Sequence, residues 1–217
     1  MQRQGDHGKA AKPMGPMPAT DDEIREKYLE RAIRELNSLT GDLQSCEECP
    51  RGNRTPVLGS GHPQADVFLL KHAPTPSEVE EGVAFYGRSG SALMKSFKRL
   101  NIDPLTVYGT LCVKCPVQDT TLADPGCMAR VLDELAIVQP RIVVLMGDDA
   151  LITLNDLGVP LAKTIGPERG VIQPFTPSME ALVVPNIDES LDEETAKRAF
   201  WRSFRTLGDW HADLPPY

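Results

Sequence analysis

The sequence lacks the features of a membrane protein, of a secreted protein and of a protein that coats nucleic acid. No apolar run reaches membrane-spanning length, and the first residues lack the charged start and apolar stretch of a signal peptide. Basic residues are fewer than acidic ones, 23 against 31, so the formal net charge is −8. This balance argues against nucleic-acid binding through overall charge, although a local basic face remains possible. We therefore expect a cytoplasmic monomer without a membrane partner.

The length and composition predict one folded domain. The chain has 217 residues, of which 41% are hydrophobic, and this is enough to bury one substantial core. Residues 1–20 contain few core-forming side chains and are predicted to be a disordered tail. Residues 21–217 are predicted to form a single domain.

Short apolar runs alternate with helical patterns along the rest of the chain. This alternation predicts an α/β fold, in which helices cover both faces of a central parallel sheet and ligands bind at the carboxyl ends of the strands. The predicted strands are 67–70, 107–113, 142–146, a strand near 171, and 182–184, and the predicted helices are 21–39, 91–100, 125–138, 148–157 and 192–207.

The segment from Gly82 to Gly90 places an aromatic ring beside a glycine-rich turn that opens a helix. The ring of Phe85 offers a stacking face for a base. The turn at Gly87, Arg88 and Ser89 would present backbone N–H groups to a phosphate, as helix N-termini do. The alternative is a structural turn with a core phenylalanine.

Five cysteines in a reducing compartment favour a metal site over disulfides. Two Cys-x-x-Cys pairs, Cys46 with Cys49 and Cys112 with Cys115, are compatible with a four-thiolate zinc site. A competing set replaces Cys112 with Cys127 and suits an iron-sulfur cluster. In that case Cys112, which lies inside the predicted strand, is a buried thiol that binds no metal.

The order of these motifs resembles the family 4 uracil-DNA glycosylases. The resemblance implies a three-layer α/β/α fold with a central, mostly parallel, four-stranded sheet and a base-binding pocket with Phe85 stacked on a flipped base. It also implies that the protein contacts DNA and that a 4Fe-4S cluster, with zinc as the alternative, is held by Cys46, Cys49, Cys115 and Cys127. The matching motifs are Cys46-x-x-Cys49, Ala73-Pro74-x-x-x-Glu78, Gly82-x-x-Phe85-x-Gly87-Arg88-Ser89-Gly90, Val113-Lys114-Cys115, Cys127, the segment 141–147 and Arg169-Gly170.

Three positions depart from the family pattern. The family's first motif, Gly-Glu-Ala-Pro-Gly, reads here as Lys71-His72-Ala73-Pro74-Thr75, so a histidine replaces the acidic residue. The asparagine that reads the uracil edge corresponds to Leu111, which offers no side-chain hydrogen bond. The histidine of the last motif corresponds to Asp188, or to Asn186 if the alignment slips. Selectivity for uracil should be largely lost, because hydrogen-bonded readout can supply discrimination of about 10⁴ to 10⁵.

Two functional hypotheses follow from these substitutions. In the first, the protein is a DNA N-glycosylase, a hydrolase acting on a damaged or modified base in DNA repair. His72 or Glu78 then handles water, while Phe85, Leu111 and Asp188 line the base pocket. In the second, the same scaffold is a catalytically inactive module that binds nucleic acid, a nucleotide or a protein. Acidic residues between 188 and 194 would repel DNA phosphates; the alternative is that residues 192–194 form the favourable acidic first turn of the final helix.

Overall fold

The computed structural model describes residues 20–214, in which a six-stranded sheet lies between two layers of helices. The strand order is β1-β3-β2-β4-β6-β5. The four inner strands, β3, β2, β4 and β6, are parallel, and the short strands β1 and β5 pair antiparallel at the two edges. The strands are β1 Ser60–Gly61, β2 Val67–Lys71, β3 Val107–Leu111, β4 Ile142–Met146, β5 Ile172–Pro174 and β6 Glu180–Val184.

Seven α-helices complete this part of the chain, and four of them lie directly on the sheet. Helices α4 and α5 pack on one face around Phe68 and Leu70 of β2, with α1 outside them. Helices α3 and α7 pack on the other face around Val67 and Leu69. The helices are α1 Asp21–Ser45, α2 Pro76–Glu81, α3 Arg88–Leu100, α4 Pro125–Val138, α5 Asp148–Asp156, α6 Ile187–Ser190 and α7 Glu194–Ala212.

The alternation of side chains along β2 sets the two sides of the functional site. Successive residues of a strand point to opposite faces of its sheet. Lys71 ends β2 on the side of Val67 and Leu69, which face α3 and α7. His72 follows and bonds to Thr153 of α5 on the opposite side. The carboxyl end of β2 therefore carries one cationic side chain on one face and a histidine on the other.

The predicted three-layer fold and mostly parallel sheet are confirmed, but the sheet has six strands instead of four, because a short antiparallel strand pairs at each edge. Several element boundaries also differ. The strand predicted at 142–146 and the helix predicted at 125–138 have the same bounds in the structure. Helix α1 continues past the predicted end at 39 to Ser45, because Leu43 adds a buried anchor. The strand predicted near 171 is the antiparallel edge strand β5.

Two further predictions concern the N-terminal tail and the absence of a membrane-spanning helix. The tail predicted for residues 1–20 lies outside the described residues, apart from Thr20, which caps α1. Within the described range, no helix combines the length and the apolar character needed to cross a bilayer.

Candidate functional site

Phe85 is held in a left-handed backbone conformation at the carboxyl end of the sheet. Its φ is 59°, and its backbone N–H donates to Oε1 of Glu78. The ring lies against Gly109 of β3, where an added Cβ would be 2.6 Å from Cδ2 of Phe85. Any larger residue at position 109 would therefore push the ring off the strand. The aromatic face is a fixed part of the site.

Glu78 anchors this arrangement from the start of α2. Besides the Phe85 amide, its carboxylate accepts from the backbone N–H of Thr75 at 2.7 Å, from the Thr75 hydroxyl at 2.9 Å and from Nζ of Lys71 at 2.7 Å. Three of these donors converge on Oε2, and the Phe85 amide alone bonds to Oε1. Glu78 is 0% exposed. Its position and contacts fit a side chain that orients its neighbours.

Lys71 is the site residue that the sequence reasoning did not identify. Its ammonium donates to Glu78 and, at 2.6 Å, to Oδ2 of Asp188, and it lies 5.4 Å from the centroid of the Phe85 ring. The side chain is almost fully buried, although lysine is rarely buried unless it is paired. One sequence signal points to it, because a charged residue ends the apolar run Val67-Phe-Leu-Leu of a central strand.

The other two residues predicted for the base pocket lie beside Lys71. Leu111 is its register partner on β3, is 0% exposed and packs with Phe85 in a small apolar cluster. Asp188 belongs to the short helix α6 and reaches across to the ammonium. The structure thus brings Phe85, Leu111 and Asp188 together around Lys71. A cation from β2 stands next to the position where the family's asparagine is replaced by leucine.

His72 is separated from this group and lines a polar cavity of about 380 Å³ between β4, α5 and the loop at Asn186. The Thr153 hydroxyl lies 3.2 Å from Nδ1 of His72 and donates to the Asp149 carbonyl at 2.7 Å. If the Thr153 hydroxyl gives its single proton to the Asp149 carbonyl, Nδ1 of His72 is the protonated nitrogen and Nε2 carries the free lone pair. Burial lowers the pKa of His72, and the Asp149 charge opposes this shift.

The glycine turn predicted to bind phosphate is only partly at the surface. Gly87 precedes α3, and Arg88 starts this helix; both are exposed, whereas Ser89 is 2% exposed. Arg88 donates to Asp192 at 2.6 Å, an exposed ion pair that contributes at most about 1 kcal/mol. The phosphate-binding role of these residues stays a prediction. The backbone and Arg88 are the groups that a surface anion can reach.

Three of the five cysteines converge. The sulfur atoms of Cys49, Cys115 and Cys127 lie within 4.8 Å of one another, and all three residues are buried. Cys46, directly after α1, is not in this group. Cys112 instead packs in the core between the sheet and α4 and α5, so the zinc set that included it is not assembled.

Protonation of these thiols follows their surroundings. A hydrogen bond with Cys115 is the largest influence on Cys127 and lowers its pKa to about 5, while the same contact raises the pKa of Cys115. Burial raises the pKa of Cys112 to about 12. The thiolate is the form that binds metal. Burial also raises the pKa of Cys49, so the convergence of the three sulfurs, and not their acidity, marks them as the candidate metal site.

Comparison with known proteins places this geometry in a family. The family model described as "Uracil DNA glycosylase superfamily" matches residues 58–205. The type-4 uracil-DNA glycosylase of Sulfurisphaera tokodaii is 30% identical over 52% of this chain and 54% of its own length. Those of Saccharolobus solfataricus and Archaeoglobus fulgidus are 25% and 22% identical, over 52% and 53% of this chain and 55% and 61% of their own lengths. The matches thus span little more than half of each relative. Because the family model covers more than half of the chain, this protein belongs to the uracil-DNA glycosylase superfamily.

Proposed function

We propose that this protein binds DNA and hydrolyses the N-glycosidic bond of a damaged or modified base. The observation that carries the proposal is the ammonium of Lys71 beside the fixed ring of Phe85. The relatives are named as type-4 uracil-DNA glycosylases, which supports DNA as the substrate. A flipped base stacked on Phe85 would gain roughly 1–3 kcal/mol from the ring.

The site would select bases through the positively charged donor of Lys71, where the family uses the side-chain amide of an asparagine. Lys71 offers only donors, so it would bond to a carbonyl oxygen at the base edge, and Leu111 would contribute apolar contact alone. The ammonium would also stabilise negative charge on the departing base, an effect commonly worth about 3–4 kcal/mol. Asp188 and Glu78 offset part of that charge. Efficient excision of ordinary uracil is not expected, because nothing at position 111 reads its N–H edge.

His72 is the proposed general base for water, and Glu78 is the proposed positioning residue. The free Nε2 of His72 accepts a proton from water in the polar cavity, and a base of this kind contributes about 10²–10⁴ in rate. Glu78 is 0% exposed and its carboxylate already accepts from Lys71, Thr75 and Phe85, so it is closed to water. The two residues predicted as catalytic therefore take different roles.

The cysteines are proposed to hold a 4Fe-4S cluster. Cys49, Cys115 and Cys127 supply three converging sulfurs, and Cys46 is the proposed fourth ligand from the end of α1. The group would be structural, tying the loop after α1 to the end of β3 and the start of α4. The 3.8 Å between the sulfurs of Cys115 and Cys127 also equals the edge of a zinc tetrahedron with Zn–S bonds of about 2.3 Å. Iron, zinc and acid-labile sulfide assays on anaerobically purified protein distinguish the two, and zinc without sulfide would exclude the cluster.

A binding module without catalysis is the second candidate, and one observation favours it. The ammonium of Lys71, bonded to Asp188, lies over the Phe85 ring at 5.4 Å from its centroid and so occupies space that a stacked base would need. Further carboxylates on and just after α6, Glu189 and Asp192, would repel phosphates, although Asp192 is paired with Arg88. If the bridge does not open, the scaffold can bind DNA without taking up a base.

The first prediction is that a panel of damaged oligonucleotides will separate the two candidates. Single-stranded and duplex substrates with uracil, hypoxanthine, xanthine and modified pyrimidines would be assayed for abasic sites. We expect cleavage of at least one base that carries a carbonyl oxygen, and a loss of about 10²–10⁴ in its rate for His72→Gln. His62→Gln, a loop variant before β2, is the matched control. Binding without cleavage across the panel would reject catalysis and support the module.

The second prediction concerns pH and His72. Because burial lowers the pKa of His72 below its usual value of about 6.5, the unfolded chain binds more protons than the folded protein just below that pH. Above pH ~6.5 the protonation of His72 should not change the free energy of unfolding. As the pH falls below ~6.5, it should lower this free energy progressively, because the unfolded chain takes up the proton first. Urea titrations of the wild type and His72→Gln between pH ~5 and ~8 measure this, and identical pH profiles would contradict it.

A further inference from the structure

A groove of about 400 Å³ lies between α3 and α7, beyond the turn at Gly87. Its α3 wall is formed by positions 92, 95, 96 and 99, and its α7 wall by positions 194, 197, 198 and 201. Both sets follow the i, i+3, i+4, i+7 spacing of a single helix face. The groove is therefore built by two continuous helix faces that oppose each other.

The charge of the groove is opposite to that of the whole chain. Lys95, Arg99, Lys197 and Arg198 line it, against the single carboxylate of Glu194, whereas the chain carries −8. Glu194 pairs with Arg198 at 3.4 Å. Between residues 20 and 214, the other three cations form no ion pair, so their charge is available to an anion. A polyanion is the partner that such a concentration of positive charge suits.

An aromatic ring lies in the same groove. Trp201 is half-buried, and the guanidinium of Arg99 lies 5.6 Å from its ring centroid. A tryptophan with an arginine over its ring offers a flat surface on which a nucleic-acid base can stack. Base faces are covered by their neighbours in a duplex and exposed in a single strand. The combination of cations and an aromatic platform is typical of single-strand binding grooves.

The groove adjoins the candidate active site at Lys95, which also lines the cavity of about 580 Å³ that contains Phe85. Lys95 and Leu191 line both the groove and a neighbouring depression of about 690 Å³ over Gly87 and Arg88. From Arg88 to Arg99 the helix rises about 17 Å, which is the length of about five nucleotides at a stacked spacing of 3.4 Å. A strand that passes Phe85 and Gly87 can thus continue along α3 to Trp201.

We propose that this groove binds single-stranded DNA that extends from the nucleotide at Phe85. The proposal deepens the proposed function and rests on it for the position of that nucleotide. The phosphates follow Lys95, Arg99 and Lys197, and a base about five nucleotides from the flipped one stacks at Trp201. The formal net charge of −8 makes unspecific binding of DNA elsewhere on the chain less favourable than binding in this basic groove.

The test measures binding separately from cleavage. Fluorescence anisotropy would follow a labelled, undamaged single strand of about 15 nucleotides, a length within the range of single-strand sites. Trp201→Ala should weaken binding by roughly 5- to 150-fold, and Trp201→Phe should restore most of it. Arg99→Ala and Lys197→Ala should each lower the slope of log affinity against log salt by about 0.7. Lys27→Ala, an exposed charge on α1, is the matched control and should change neither quantity beyond its small effect on overall charge.

The outcomes for the groove and for the proposed reaction are distinguishable. Weaker binding by the groove variants supports the groove even if the wild type cleaves no substrate of the damaged-base panel, in which case only the reaction fails. Wild-type affinity and salt slope in Trp201→Ala and Lys197→Ala overturn the groove even if the wild type cleaves a base. Tighter binding to duplex than to single-stranded DNA, unchanged by Trp201→Ala, also overturns it.

Discussion

Replacing Lys71 with methionine should destabilise the domain by about 3–5 kcal/mol, the typical result of breaking a buried ion pair by removing one partner. Glu78 would keep its charge at 0% exposure and lose its cationic partner. For a domain of this size the melting temperature should fall by about 6–20 °C. The same change removes the ammonium beside Phe85, so the cleavage rate of the folded protein should fall about 100-fold or more. Urea denaturation and single-turnover cleavage below the melting temperature measure the two effects.

Lys114 provides a matched control for Lys71, because it is a second fully buried lysine in a carboxylate pair. Its Nζ donates to Oε2 of Glu134 at 2.8 Å, to the Thr110 hydroxyl at 2.9 Å and to the backbone carbonyl of Leu111 at 2.7 Å, and it makes no side-chain contact in the base pocket among the described residues. Lys114→Met should lower stability by a similar amount of about 3–5 kcal/mol. It should leave the choice among damaged bases unchanged. Equal changes in base selectivity for the two variants would show that Lys71 acts only through stability.

Restoring the family residues at two positions gives the converse experiment. Lys71→Gly with Leu111→Asn removes the cation beside the ring and supplies an amide in its place. If the bridge to Asp188 excludes uracil, this double variant should bind uracil-containing strands more tightly than the wild type. Because β2 and β3 place positions 71 and 111 in register, the two changes act on one pocket and should be non-additive.

The central strands and helices could be predicted because their sequence patterns are long and agree with their burial. Segment 142–146 is five consecutive apolar residues, and all five are buried in the middle of the sheet. Helix α4 begins with Pro125 after the capping residue Asp124, and its end at Val138 coincides with the last buried apolar position. The edge strands β1 and β5 contain two and three residues, too few for a periodic pattern to develop.

The candidate site was less predictable, because its key contacts join residues that are distant in sequence. Phe85 and the glycine turn have local signatures, and the converging cysteines have recognisable spacing. The contact between Lys71 and Asp188 spans 117 positions and depends on α6 folding back over β2. Glu78 matched a family motif, but its four contacts come from Lys71 at the end of β2, from Thr75 before α2 and from Phe85 after α2. A motif identifies a residue, whereas its role depends on the donors and acceptors that surround it.

Loss of the thiol of Cys115 should have a large effect on stability. If Cys49, Cys115 and Cys127 hold a metal group, Cys115→Ala should abolish the bound metal and its visible absorption. Metal binding free energy contributes directly to folding and reaches about 10–16 kcal/mol for structural zinc, so a loss of several kcal/mol is expected. Metal content, visible spectra and urea denaturation measure these effects.

Cys112 is the matched control for this experiment, and Cys46 decides the fourth ligand. Cys112 is buried three residues before Cys115 but packs among apolar side chains, so Cys112→Ala should keep the metal and cost about 1 kcal/mol. Cys46→Ala should lose the metal if the end of α1 moves to complete the site. A metal content unchanged in Cys115→Ala would reject the metal site. An unchanged content in Cys46→Ala alone would instead mean that three cysteines hold the group and that the fourth position is open to another ligand.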